Sequence, residues 1–548
     1  MIIRLMDAHP TLLKIASLTI LLLLAPFAWI PLVYEHTYSL IAFDAHELAR
    51  KYALSSAVSL IAIIGVPFLR SRWARRLLVS IFVIGFSLNY AASSIQGSSL
   101  SVHMFSTLFQ AKDDIGLALT SYGPQLFLSL LLCVGLLFGL IREPSKKISL
   151  GIWFLIVPLI AFISVRNMIV SYRGIIEEFP SPVSVLIQAN LGWRYSAVYL
   201  GPREELVYTH DIAPKFEKVV FILDESVRGD FLQINDAKFD NTPFLESIKT
   251  EFVNFGLASS YANCSAMSRM ALRSGARENN FPDPEQQILR QPTFWQYAKL
   301  AGYRTVYIDG WKSQRDMHSH LTEYELDYVD RRTDAELRPF AQADDRIADR
   351  LAEELAKPGP AFIFVEKIGV HSPYKRQIAD DPAYSPTPTS IPYLGVDDAR
   401  ADNMKDYLTG LWSRVDGFFK IAYPALNQPN VFTVYTSDHG VANYQGGYDA
   451  THCSGKNAHW GEGVVPLFIF TGDENTKSIF AESALRSYGK ANHMDIFPTL
   501  ISAMGFDPSL VEPNYEAGLV DIPPDRKHRF FIFFPFQDIV EWINIDYK

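Results

Sequence analysis

The sequence predicts a two-part protein: an N-terminal bundle of five transmembrane α-helices, then a C-terminal α/β sandwich. Three observations predict it. Apolar runs dominate the first 170 of the 548 residues. From Phe216 onward, short β-branched and aromatic runs alternate with helical stretches, the pattern of a layered α/β domain. Acidic, histidine and hydroxyl side chains gather where several of those runs end. The expected division is 1–170 for the membrane bundle, 171–214 for a linker at the membrane surface, and 215–548 for an external domain.

A spanning helix needs about 20 mostly apolar residues. Five segments meet or approach this: Ile15–Val33, Tyr52–Leu69, Leu77–Ser94, Pro124–Ile141 and Ile148–Val165. The first reads as a span of the bundle rather than a cleaved signal peptide. Pro26, Pro31 and Pro158 are tolerated in spans whose neighbours satisfy the freed carbonyls. Arg4 and Lys14, then Arg70, Arg72, Arg75 and Arg76, then Arg142, Lys146 and Lys147 put positive charge on alternate loops. Those loops face the cytoplasm by the positive-inside rule, so the N-terminus is cytoplasmic and the chain leaves the fifth span on the outer side. The loop Ile95–Tyr122 has room for a short helix at the outer surface, and a possible amphipathic stretch at Val183–Leu191 lies in the linker.

In the external half, strands are expected at Val219–Leu223, Thr305–Ile308, Ala361–Val365, Val431–Thr436 and Leu467–Phe470. Helices are expected at Asn241–Thr250, Thr293–Ala301, Ala343–Ala356 and Ala401–Ala422. The alternation implies a largely parallel sheet, whose ligands sit beyond the carboxyl ends of the strands. A formal charge of −9 argues against nucleic acid as a partner, and three cysteines exclude a disulfide-dense scaffold.

The strand ends carry the chemistry. The first strand runs into Asp224-Glu225-Ser226-Val227-Arg228, a late one into Ser437-Asp438-His439-Gly440, and a third leads to His371. Convergent carboxylates and imidazoles suit a divalent cation, zinc in particular, with a position left open for catalysis. Ser265 stands in Asn263-Cys264-Ser265-Ala266-Met267-Ser268-Arg269, ahead of the helix-like Met270–Arg273. A hydroxyl at a helix N-terminus lies in a positive backbone field that favours its alkoxide and an incoming phosphate; the bland alternative is a helix cap. Arg269 and Lys456 could steady the oxygens of a transferring phosphoryl group.

These motifs, in this order, resemble the alkaline phosphatase/sulfatase superfamily, and within it the membrane-bound phosphoethanolamine transferases that modify lipid A and other envelope glycolipids. Glu225-Ser226-Val227-Arg228 is similar to that family's Glu-Thr/Ser-x-Arg motif, and Asn241-Thr242-Pro243-Phe244-Leu245 to the segment after it. Ser265-Ala266-Met267-Ser268 is similar to its nucleophile motif, with Ser for the usual Thr. Ile368-Gly369-Val370-His371-Ser372 resembles its Gly-x-His-Gly-Pro loop, and Ser437-Asp438-His439-Gly440 matches its Ser-Asp-His-Gly motif. The resemblance implies Glu225, Asp438 and His439 as ligands of zinc (one or two ions, or another divalent cation) together with Ser265, the phosphoryl-accepting nucleophile. It implies His371 and His452 at a second metal or substrate position, phosphatidylethanolamine as donor, and lipid A or another glycolipid or glycan as acceptor. It also implies a multi-pass protein of the inner membrane, in contact with membrane lipids, with its catalytic domain in the periplasm.

The departures leave alternatives open. Asp224 stands where the transferases usually have Gly and could be an extra metal ligand. His459 competes with His452 because the loop length differs. Met267-Ser268-Arg269 and Lys456–Pro466 partly fit sulfatase patterns, but formylglycine formation requires Pro where Met267 stands, and Cys264 is one position out of register. The competing readings are a membrane-anchored sulfatase-like hydrolase, a phosphoglycerol transferase, or an inactive scaffold. Arg228 reads either as a support for the site or as a surface ion pair. His493 could support the site, as could Asp495, which could equally just begin the Ile-Phe-Pro-Thr-Leu helix. Cys264 and Cys453 adjoin proposed site residues, and are either a disulfide in an oxidising compartment or two free thiols.

Overall fold

The computed structural model describes residues 201–310, 319–334, 342–371, 374, 398–445, 452–453, 458–512, 515, 518–532 and 540–546. Nearer the N-terminus it describes 72–73, 76–77, 79–80, 83–85, 87–88, 105, 123, 126–130, 189, 193 and 199. The chain divides into two compact units, Met1–Ala197 and Val198–Lys548. Most of the first unit, and so most of the five expected spans and the Val183–Leu191 stretch, lies outside the described residues. The described parts of the third and fourth spans are helical and expose Leu77, Ile84, Phe127, Leu128 and Leu130. Phe105, between the third and fourth expected spans, is helical too. Among the described residues no helix is long and apolar enough to cross a membrane.

The second unit is built on a seven-stranded sheet. Its strands are β1 (Lys218–Asp224), β2 (Val253–Ser259), β3 (Arg304–Asp309), β4 (Arg331–Asp334), β5 (Ala361–Glu366), β6 (Val431–Ser437) and β7 (Val464–Thr471), in the order β2-β7-β6-β1-β5-β3-β4. The five strands from β6 to β4 are mutually parallel; β7 runs antiparallel to β6, and β2 antiparallel to β7. Every residue of β1, β5, β6 and β7 is buried. Their near-continuous apolar runs therefore meet cover on both faces, as parallel sheets require. One cover is an apolar core of β1, β5 and helical residues such as Ile347, Leu351, Leu408, Phe418 and Phe419.

All five expected strands form. The strands without a sequence expectation have weak patterns. β4 is the polar edge Arg-Arg-Thr-Asp, and β2 is interrupted by a register shift at Asn254/Leu257 beside the left-handed Gly256. A separate antiparallel pair, β8 (Arg529–Ile532) with β9 (Glu541–Asn544), completes the strands among the described residues.

The helices used below are α1 (Ser265–Ser274), α2 (Phe294–Leu300), α3 (Ala343–Leu355), α4 (Asp398–Leu411), α5 (Gly417–Leu426), α6 (Glu474–Ser487) and α7 (Ile496–Ala503). α2 and α3 form where expected. The expected helix at 241–250 contracts to Pro243–Ser247, started by proline at its first turn and ended when Ile248 leaves helical geometry. The single helix expected over 401–422 is α4 and α5 joined by a π-turn at Trp412–Asp416. Asp416 in that turn accepts the amides of Phe244 and Leu245 at 3.0 and 2.9 Å, tying the π-turn to the short helix.

β1 and β6 pair in parallel from Lys218 opposite Val431 to Asp224 opposite Ser437, so Glu225 and Asp438 leave neighbouring strands at one level. The turn after β6 is then threaded through backbone. A Cβ on Gly440 would fall 2.2 Å from the Gly461 carbonyl oxygen and 2.7 Å from that of Val464. Neither carbonyl is on a flexible side chain, so Gly440→Ala is expected to destabilise the domain by about 1–3 kcal/mol. A lowered thermal midpoint of the full-length protein in detergent checks this, and an unchanged midpoint would contradict the close approach.

Candidate active site

Glu225 follows β1 directly. The next residue, Ser226, has φ +59°, a conformation costing roughly 1–3 kcal/mol outside glycine unless its neighbours hold it. They do: its amide donates to Asp438 Oδ1 at 3.2 Å, its hydroxyl to Glu225 Oε1 at 2.7 Å, and its carbonyl accepts from the Tyr407 hydroxyl at 2.9 Å. The strained residue thereby sets the carboxylates of Glu225 and Asp438 against each other. Asp438 also accepts the His439 amide at 2.8 Å, and His439 Nδ1 bonds the Gly440 carbonyl at 2.7 Å. A carbonyl only accepts, so Nδ1 carries the proton and Nε2 faces the site.

α1 brings the hydroxyl. It begins at Ser265, five residues earlier than the helix-like Met270–Arg273 suggests, with Cys264 as its cap residue in extended geometry. Ser265 Oγ lies 3.0 Å from His439 Nε2 and 3.2 Å from Glu225 Oε2. The first-turn amides of such a helix have no acceptor within it. Glu225, Asp438 and His439 offer ligand atoms all within 4.8 Å of one another. All three are buried, whereas Ser265, His371 and His452 are half-buried, so the cluster opens on the serine and histidine side. The His452 ring stacks on His439 at 4.4 Å between centroids and lies 5.9 Å from that of His371.

The electrostatics favour a cation. Arg269, one turn along α1, donates from Nη2 to Glu225 Oε2 at 2.5 Å and from Nε to Asp438 Oδ2 at 3.1 Å. The sequence expects Arg269 at phosphoryl oxygens; its guanidinium bridges the two carboxylates here. Burial opposes its charge, but Asp438, Glu366 and Glu225 outweigh burial and raise its pKa. Burial also works against ionised Glu225, yet Arg269, His439 and His371 hold it well below the usual carboxylate range. Burial, then the neighbouring Glu225, pushes Asp438 up to about 7. Burial disfavours the imidazolium of His439, but Asp438 and Glu225 prevail and lift it to about 9.

The remaining expected residues divide. Asp224 does not join the cluster: it accepts from Lys367, from the Tyr435 hydroxyl at 2.9 Å and from the Glu225 amide at 3.0 Å. His459 caps a short helical turn, its Nδ1 accepting the Gly461 amide at 3.0 Å, and burial with Arg228 nearby lowers its pKa to about 3. Lys456 lies outside the described residues. Arg228 is no surface ion pair. It is fully buried between Phe231 and Trp460, bonds Asp230 and Gln445, and donates to the carbonyls of Val441 and Ala442, holding the exits of β1 and β6 together. Cys264 and Cys453 form a disulfide, and the Cys453 amide donates to the Asn263 carbonyl at 2.8 Å. The bond joins the residue before Ser265 to the residue after His452.

His493 accepts the Tyr261 amide on Nδ1 at 3.1 Å and donates from Nε2 to the Ser437 carbonyl at 3.0 Å, bracing the end of β6. Asp495 accepts the Asn492 amide at 2.9 Å and pairs with Arg526 at 2.8 Å. Sequence reasoning passed over Tyr407 and Asp344. Asp344 accepts the amides of Ile368 and Gly369 at 3.0 and 3.2 Å and shapes the loop to His371. Both lie within helices with no local signal of such a role.

A buried ligand cluster beyond the carboxyl ends of a largely parallel sheet, facing a hydroxyl at a helix N-terminus, defines the α/β domain of alkaline phosphatase and sulfatase type. The chain belongs to the sulfatase family, whose model matches residues 217–506, more than half its length. No curated protein matches it. Among solved structures it is similar to the integral membrane protein lipooligosaccharide phosphoethanolamine transferase A from Neisseria meningitidis, at 15% identity and a TM-score of 0.66 over 91% of this chain and 98% of that one. It is also similar to the C-terminal periplasmic domain of EcEptC from Escherichia coli, at 19% identity and TM-score 0.50 over 63% of this chain and 96% of that one. The same domain in complex with zinc gives 18% identity and TM-score 0.51 over 61% and 93%. At these identities the likeness is one of fold.

Two expectations follow. A metal bound by the cluster must displace protons held up to about 9 on His439 and about 7 on Asp438. Zinc binding followed by calorimetry in buffers of different ionisation enthalpy is expected to release about one proton near pH 8 and to approach two near pH 6, with affinity rising as pH rises. A pH-independent affinity would contradict this. Separately, burial lowers His493 to about 3, below the roughly 6.5 of an unfolded histidine. The unfolded chain then binds the extra proton, so the stability from neutral His493 is complete above about pH 6.5. It is lost on acidification at up to about 1.4 kcal/mol per pH unit. His493→Gln is expected to flatten the fall in thermal midpoint between pH 7 and 5.

Proposed function

We propose that the protein is a metal-dependent phosphoethanolamine transferase. It takes phosphoethanolamine from phosphatidylethanolamine and passes it to an envelope glycolipid or glycan, lipid A or core foremost, through a covalent phospho-Ser265 intermediate. The observation that carries this is Ser265 Oγ at the start of α1, 3.0 Å from His439 Nε2 and 3.2 Å from Glu225 Oε2. The fold shared along most of the chain with a protein named as a lipooligosaccharide phosphoethanolamine transferase supports the donor and acceptor class.

Glu225, Asp438, His439 and Ser265 would hold the metal; two carboxylates, an imidazole and a hydroxyl are a fitting donor set for zinc, though another divalent cation is compatible. When bound, the ion supplies positive charge that favours the serine alkoxide and the charge developing on phosphoryl oxygens. Ser265 Oγ passes its proton to solvent and attacks phosphorus, and the P–O bond to diacylglycerol breaks. The departing glycerol oxygen takes a proton, which His371 and His452, on the open side of the cluster, are placed to give. The acceptor oxygen then attacks the same phosphorus and gives its proton to the histidine that supplied one, while the P–O bond to Ser265 breaks and Oγ regains a proton from solvent. Amides at the start of α1 favour the anionic group through both halves. Arg269 acts by favouring the ionised form of Glu225 and by aiming Glu225 and Asp438, rather than by touching the transferred group. Asp438–His439 and Glu225 thus act as ligands, and Lys456 is assigned to the substrate side. The domain works on the periplasmic face of the inner membrane, carried by the 1–170 bundle.

The family match favours hydrolysis as the second reading. Against it, Met267 replaces the proline that formylglycine formation needs, and Cys264 is held in the disulfide. Intact mass after incubation with zinc and phosphatidylethanolamine decides. One phosphoethanolamine added to the parent and none to Ser265→Ala is expected, with turnover of the variant down at least about 10³-fold. A folded, zinc-loaded parent without the adduct would reject the transferase reading.

A further inference from the structure

Beside the ligand cluster lies a second set of buried charges that the reaction does not use. Asp224 ends β1 immediately before Glu225, and by residue type and position it is a natural ligand for the same ion. Its oxygens are engaged otherwise. Oδ1 accepts the Glu225 amide at 3.0 Å, while Oδ2 accepts the Tyr435 hydroxyl at 2.9 Å and the Lys367 ammonium. Gly369, at φ +58°, closes over it so tightly that a Cβ there would lie 2.4 Å from Asp224 Oδ1. Lys367 directly follows β5, the other parallel neighbour of β1. Its Nζ also donates to the Arg414 carbonyl at 2.7 Å, lies 3.6 Å from Asp344 Oδ2, and sits 4.5 Å from the Phe418 ring centroid. The side chains of Lys367, Asp224 and Asp344 have no exposed surface. Arg414, 3.9 Å from Asp344, supplies the other cation, so two acids face two bases.

We infer that Lys367 is a fixed internal cation that keeps Asp224 out of the metal's ligand set, leaving the ion to Glu225, Asp438, His439 and Ser265. The inference rests on the metal centre of the proposed function and not on which group is transferred. Two of the ammonium's three donors go to Asp224 and the Arg414 carbonyl, and Asp344 adds a second negative charge 3.6 Å away. A metal ion drawn onto Asp224 would strand that ammonium as an unpaired buried charge, a far worse arrangement than the existing pair. The pair instead anchors the start of the loop that runs to His371, whose next two amides are held by Asp344.

The test is zinc content and affinity of the full-length protein in detergent, stripped with a chelator and reloaded, measured by elemental analysis and by competition with a chelating dye. The double variant Asp224→Asn/Lys367→Met removes both charges. It is expected to hold as much zinc per chain as the parent, with affinity within about threefold, whereas Glu225→Gln weakens binding by roughly 100-fold or more. Asp224→Asn alone keeps the shape and an acceptor for Lys367, and gives the same reading should the double variant not fold. Loss of zinc, or an affinity drop above about tenfold, in a folded Asp224 variant overturns the inference by making Asp224 a ligand. Zinc retained equally by Glu225→Gln, or absent from the parent, overturns the metal centre and this inference with it. A zinc-loaded parent that forms no phosphoethanolamine adduct would reject the transferase reading alone.

Discussion

The register of β1 against β6 is the constraint on which the site depends. Because Asp224 pairs with Ser437, the residues just beyond them, Glu225 and Asp438, emerge side by side, and Ser226 is forced into left-handed geometry to bring their carboxylates together. In a parallel sheet a slip of one residue sends each side chain to the opposite face. Here it would separate the two acids and withdraw His439 from Ser265. The molecule fixes the register from both sides. Arg228 clamps the two exits, Gly440 lets backbone cross backbone, and His493 holds the Ser437 carbonyl.

Concentrating acids at that edge has an electrostatic cost, and the structure meets it with one cation per problem. Arg269 answers Glu225 and Asp438; Lys367 answers Asp224. Both are buried, where removing one partner is far more damaging than never having the pair. The two sets share a strand end without sharing counterions, which lets one be a ligand field and the other a piece of framework. Asp224 and Glu225 differ by a methylene and one position, yet their environments send them to different work.

Much of this was legible in the sequence because it is local. The five central strands are continuous apolar runs, the strand-end motifs name Glu225, Asp438 and His439 directly, and the segment before α1 names Ser265. The sequence alone does not choose between a disulfide and two thiols, since only the fold brings residues 189 apart in sequence together. What stayed hidden depends on tertiary partners. Asp344 and Tyr407 act from helices through contacts that no spacing encodes, and the edge strands β2 and β4 owe their place to neighbours rather than to pattern. The choice between His452 and His459 also needed three dimensions: one ring stacks on His439, while the other is occupied with capping.

The Cys264–Cys453 link has a consequence in polymer terms. It closes a loop of 189 residues that contains β3, β4, β5 and β6, with α1 to α5. In the chain-entropy description, closing a loop of that size removes freedom from the disordered chain worth about 5 kcal/mol. The two ends of the loop are the neighbours of Ser265 and His452. A domain whose sheet has come apart therefore still carries its nucleophile and its facing histidine on one short tether, and the search needed to rebuild the centre is confined to a small volume rather than spread along the contour of the whole chain.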